Sequence, residues 1–222
     1  ASLRTHRAPL NSELPDATVA KLDAWLIANG KALQKMGMPA QAFQMFEPWF
    51  VGLTISLIEM DKQGLDPKIG LDMHFIGRAE KTSKPTAGLE KGSEQIAVFD
   101  GMSKTEQLQF LEESLNEAQN AKVEIDKLHA AWRRGDAAAL LDEMAGDMRR
   151  DYPQLYRKIN VARNDAWVPK LQRMLDDETT DDTLVVVGAL HLLGEDGVVE
   201  KLRAKGYKVE RVCSACAGGK KR

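Results

Sequence analysis

The run Thr183-Leu184-Val185-Val186-Val187-Gly188 constrains the fold of this chain more than any other segment. It is mostly β-branched, carries no charge, and reads as a strand covered on both faces. Gly194-Glu195-Asp196-Gly197 then leads into a short helix with Val198, Val199 and Leu202, which ends near Gly206. Tyr207-Lys208-Val209-Glu210-Arg211-Val212 alternates as a strand should. Strand, loop, helix, strand is a βαβ unit, and a βαβ unit implies a parallel sheet. The expected class is therefore α/β with a mostly parallel sheet.

Upstream, helical grammar dominates. Val19, Leu22, Trp25, Leu26 and Leu33 recur at helical spacing, and a second apolar helix is predicted over residues 40–60 with a kink or restart around Pro48. Asp72 stands at an expected N-cap before Phe75, Ile76 and Ala79. Ser103-Lys104-Thr105-Glu106 fits a capping box, followed by a long amphipathic helix through Leu108, Leu111, Leu115, Val123 and Leu128. Gly135-Asp136 stops that helix and caps another, a turn or helix begins at Asp151-Tyr152-Pro153, and residues 161–175 read as helical despite Pro169. Residues 85–90 form a weak candidate strand. Only about three strands are found, where open α/β sheets usually carry ~5 or more. Part of the sheet is thus expected in segments read as helical or upstream of Ala1. The layout is a poorly ordered lead-in over residues 1–13, one domain over 14–212 with a helical insertion over roughly 103–176 and the βαβ unit over 183–212, and a tail over 213–222.

Composition excludes several function classes. The 222 residues hold 31 Lys+Arg against 33 Asp+Glu, a net charge of −2, so no general attraction to nucleic acid or anionic lipid is expected. The uncharged stretch over residues 48–58 is far short of the ~20 apolar residues of a transmembrane helix. No apolar signal-peptide core follows Arg4, His6 and Arg7. Cys213 and Cys216 form one CxxC pair, too few for a structural zinc site and not placed between a strand and a helix; a tail disulfide or two idle thiols is the favoured reading.

His191 follows the apolar run directly. Ligands bind past the carboxyl ends of parallel strands, and an imidazole there can ligate a metal or act as acid and base. Gly188 permits a sharp turn, and Gly194 with Gly197 permits close backbone approach before a helix N-terminus. The alternative is a loop histidine among turn glycines. Glu90, after Gly88-Leu89, is placed on the same side of the sheet, where a carboxylate can hold a divalent metal or activate its water; equally, it can cap the following helix. Arg163 is suited to a substrate carboxylate or a developing oxyanion, or to a surface charge, and Asn164 shares that ambiguity. Asp72, Glu195, Asp196, His74, Arg78 and His129 each have a structural reason where they stand, and the four tryptophans read as core.

Residues 186–212, centred on GALHLLGEDGVVEKLRAKGYKVERV, resemble the carboxyl-terminal signature of the TraB/GumN family, which includes the Tiki metalloproteases. Glu47-Pro48-Trp49, Gly70-Leu71-Asp72, Gly88-Leu89-Glu90 and Arg163-Asn164 with Trp167 look like further family segments in the family's order, so the resemblance covers roughly residues 14–212. It implies a divided parallel sheet with a helical insertion and a metal-dependent hydrolase site with two Gly-x-x-His motifs. Gly188-Ala189-Leu190-His191 looks like the second. The first is not found: Leu71, Asp126 and Leu3 precede His74, His129 and His6 by three positions.

The resemblance thus implies a peptidase-like hydrolase with His191 and Glu90 as metal ligands, Glu90 and Arg163 as catalytic groups, a divalent ion (Mn, Co or Zn), and a peptide or small-molecule substrate. One histidine and one carboxylate fall short of the usual three ligands of catalytic zinc. The expected result is weak metal binding and little activity from these residues alone. The other reading is a non-catalytic envelope protein that binds a peptide, saccharide or haem-like ligand in the same cleft. An exported or envelope location is expected from the resemblance, and the CxxC pair is compatible with an oxidising compartment.

Overall fold

The structure, a computed structural model, describes residues 2–4, 8–177 and 182–213. The chain divides into two compact units, Ala1–Leu65 with Ser93–Glu124 and Asp66–Gly92 with Ile125–Arg222.

The first unit is built from α1 (Asp16–Lys35), α2 (Pro48–Lys62), α4 (Gly92–Asp100) and the first part of α5 (Lys104–Arg134). Pro48 is the first residue of α2, where a proline ring presets helical φ and lacks an N–H the first turn would leave unpaired, whereas Pro15 is the N-cap of α1. Of the kink or restart expected near Pro48 in a helix over residues 40–60, the restart is observed, since α2 begins at Pro48 and residues 40–45 form only a short 3-10 turn. The capping box also forms, since the Ser103 N–H donates to Glu106 at 2.7 Å and the Glu106 N–H donates to Ser103 Oγ at 3.2 Å. Leu22, Leu26 and Leu33 of α1, Val51, Ile55 and Ile58 of α2, and Leu111 and Leu115 of α5 make one core with Leu10 and Phe43. Leu10, inside the expected lead-in, is fully buried. Gly52 sets the approach of α2 to α5, because a Cβ there would lie 3.2 Å from Leu111 Cα and 3.0 Å from Phe110 Cδ1. Buried Arg4 pairs with Glu13 and, at 3.4 Å, with Glu47.

The second unit holds α3 (Leu71–Lys81), α6 (Ala137–Asp151), α7 (Pro153–Tyr156), a π-helical turn (Arg157–Val161), α8 (Ala162–Leu175), a 3-10 turn (Ala189–Leu192) and α9 (Val198–Ala204). Asp136 caps α6 as predicted, accepting from the Ala139 N–H at 3.1 Å. The N-cap of α3 is Gly70, and Asp72 sits in the first helical turn, where a negative charge still favours the dipole. α8 and α9 share a core of Trp167, Val168, Leu171, Val198 and Leu202, against which Leu89, Val187, Tyr207 and Val209 pack.

The α/β expectation is overturned: among the described residues there is no sheet, and the sole β pairing is an isolated antiparallel bridge between Leu3 and Phe46. Residues 183–188 and 207–212 have no regular secondary structure despite their β-branched content, and neither forms a ladder with the other or with residues 85–90. A strand is a property of a pair, and side-chain preference alone cannot supply the partner. Val187 and Val209 spend their side chains on the helical core. The Val209 carbonyl is taken by the Arg203 guanidinium at 2.8 Å. Residues 85–90 are irregular, and His191 sits on a 3-10 turn rather than at the end of a sheet strand. Among the described residues no helix is long and apolar enough to cross a membrane. The choice between a Cys213–Cys216 disulfide and two idle thiols falls on Cys216, outside the described residues.

Candidate functional site

Arg163, Asn164 and Trp167 project from the first turns of α8, one residue and one helical turn apart, so all three reach the same neighbourhood. The irregular segment before α4 brings Glu90 to them. Its carboxylate accepts from Arg163 Nε at 3.2 Å on each oxygen, from Arg163 Nη2, and from Trp167 Nε1 at 3.2 Å. Arg163 also donates through Nη1 to the Ile159 carbonyl at 3.2 Å, which leaves one N–H on each terminal nitrogen uncommitted among the described residues. Lys170 donates to the Leu89 carbonyl and ties the segment down next to Glu90.

The 3-10 turn delivers His191, whose N–H donates to the Gly188 carbonyl at 3.0 Å. Its ring lies 4.4 Å from the Trp167 ring centroid, while the Arg163 guanidinium carbon lies 5.0 Å from that same indole. His191 Nδ1 is 2.7 Å from Asn164 Oδ1, and the Asn164 amide donates through Nδ2 to the Asp196 carbonyl at 2.7 Å. Tyr156 donates to the Asp196 carboxylate at 3.4 Å and accepts from Asn160 Nδ2 at 3.1 Å. The left-handed backbone of Gly194 (φ +68°) turns the chain between His191 and Asp196, and a Cβ there would lie 2.8 Å from Leu141 Cδ2.

Burial first and the Arg163 charge second push the His191 imidazole down to about 4, with Glu90 partly offsetting both. At neutral pH the ring is uncharged. The Tyr156 phenol is held above its ordinary value, first by burial, with the Asp196 charge adding to it.

Glu90, Arg163 and His191, singled out in the sequence, therefore share one cluster around Trp167. His74, His129 and Asp72 are exposed and take no part in it. Glu195 is turned to Arg149 at 3.7 Å. Sequence reasoning assigned Trp167 to the core and Asp196 to a helix start. Trp167 is indeed buried, at 4% exposure, yet its indole N–H also orders Glu90. The available signal was the i, i+4 spacing of Arg163 and Trp167; nothing in the sequence announces that the Asp196 backbone carbonyl would meet Asn164.

Among the described residues no three His, Cys, Asp or Glu side chains come together as a metal site. Of the two expected ligands, Glu90 has both oxygens engaged by Arg163 and Trp167, while His191 Nε2 has no hydrogen-bond partner among the described residues. These residues do not by themselves fit a divalent ion, which at a catalytic centre takes about three protein ligands.

Fold and cluster define a helical protein with a neutral histidine and an ion-paired arginine about a buried tryptophan. The chain matches the TraB/PrgY/gumN family model over residues 1–211 and belongs to that family. It is similar to the YbaP proteins of Escherichia coli K12 and Shigella flexneri, each 27% identical over 183 residues, which cover 77% of this chain and 61% of the relative's length. The match thus spans less than two thirds of those relatives. No solved structure matches it significantly.

Proposed function

We propose that the cluster belongs to a peptidase-like hydrolase site in which His191 takes a proton from the attacking water and Arg163 receives the carbonyl oxygen or a substrate carboxylate. One observation supports this above all: an imidazole and a guanidinium flank the same buried indole, and each is held by its own hydrogen-bonded partner. The neutral ring keeps a lone pair for a proton, and the two uncommitted Arg163 N–H groups can stabilise negative charge as it develops. Glu90 serves in this reading to orient the guanidinium, because its oxygens already face three N–H donors. The reaction class comes from the family likeness, and no step is routed through a metal.

Peptide hydrolysis by the protein that carries this chain is the test. His191→Ala is expected to lower kcat/KM by roughly 10²–10⁴-fold, the usual worth of a positioned base. Arg163→Ala should cost about 10²–10³-fold, as loss of an oxyanion donor does. Unchanged turnover in His191→Ala overturns the reading.

A further inference from the structure

We infer that Asn164 is a positioning residue that holds His191 in the tautomer with its proton on Nδ1, so that Nε2 is presented as a bare lone pair. A neutral imidazole carries its one proton on either nitrogen, and the hydrogen bond made by one nitrogen decides the other. Here the bond is at Nδ1, 2.7 Å from Asn164 Oδ1.

The amide's own orientation is what makes the assignment. Asn164 is fully buried, and its second polar atom lies 2.7 Å from the Asp196 carbonyl oxygen. A carbonyl only accepts, so the Asn164 atom facing it must be the NH₂ group. Flipping the amide would set two buried oxygens against each other at that distance, an arrangement with no proton to share. Asn164 Oδ1 therefore faces His191. An oxygen that can only accept requires a donor opposite it, and Nδ1 must carry the hydrogen. Asp196 is in turn held by Tyr156 on its carboxylate, and Gly194 makes the turn that aims its carbonyl inward. The loop thus fixes an amide, and the amide fixes a proton.

The consequence bears on the proposed function and rests on it only for the use of the lone pair. A free imidazole in water prefers its proton on Nε2, which would present a donor to the cleft. Asn164 reverses that preference and presents an acceptor, suited to water or to a Lewis-acidic ligand.

Long-range ¹⁵N–¹H correlation spectra of the chain labelled in histidine test this without substrate. At neutral pH the His191 signals, identified by their loss in His191→Gln, should show a protonated Nδ1 and an unprotonated Nε2. Neutral free histidine in water provides the reference pattern, with Nε2 protonated. Asn164→Leu should move His191 to the reference pattern, making the minor tautomer the major one, whereas Asn164→Asp, which retains an acceptor, should keep Nδ1 protonated. A wild-type His191 with the proton on Nε2 overturns the inference, and so does an unchanged tautomer in a folded Asn164→Leu. If the wild-type spectrum is as expected but His191→Ala still hydrolyses peptides, the hydrolase reading alone fails.

Discussion

At the scale of the residue, His191 is where environment departs furthest from composition. An exposed histidine titrates near 6.5, but this one is packed on Trp167 near the Arg163 charge and is pushed down to about 4. The sign of the consequence is fixed. Between those values the unfolded chain holds a proton that the folded one does not, so stability is expected to rise with pH from about 4 to 6.5 and to level off above. Urea unfolding across that window in wild type and in His191→Gln checks it, because the difference between the two curves should grow as the pH falls. A constant difference would show that the ring titrates normally in the folded state. Glu90 and His191 were legible in sequence because they stand beside glycines in short motifs. Trp167, Asn164 and Asp196 were less so, since each acts here through a hydrogen bond that spacing does not encode.

At the scale of the element, the helices were readable because each carries its own hydrogen bonds, so periodicity and caps suffice to locate it. The Pro48 restart, the capping box at Ser103 and the Asp136 cap are all local signals, and all are present. The segments 183–188 and 207–212 carried an equally clear preference for extended backbone, yet a ladder needs a second chain segment that local preference does not provide. The contact of α2 with α5 lies between these cases: the sequence shows both apolar faces but not that Gly52 permits the approach. Gly52→Ala would place a methyl 3.0–3.2 Å from Phe110, Ser114 and the Leu111 backbone. Overpacking of this kind costs about 1–3 kcal/mol. A denaturation midpoint lowered accordingly, with the helical signal retained, is the expected result; no change would mean that α5 yields freely.

At the scale of the whole molecule, the donor set of the described residues carries an expectation about metal binding. Calorimetric titration with Zn²⁺, Mn²⁺ or Co²⁺ should give weak binding, because no three ligating side chains come together among the described residues. Tight one-to-one binding that survives His191→Ala would place a metal elsewhere in the chain.

The apolar run before His191 carries a liability of its own. Leu184, Val185 and Val186 are 67%, 39% and 40% exposed, and among the described residues the backbone N–H groups of 184–187 have no hydrogen-bond partner. An uncharged, exposed β-branched segment with free backbone N–H groups invites another copy to line up alongside. Concentrated solutions should therefore cluster on standing, as light scattering would reveal, and Val186→Lys should keep them clear. The residues that aim the imidazole would then sit beside a surface prone to self-association.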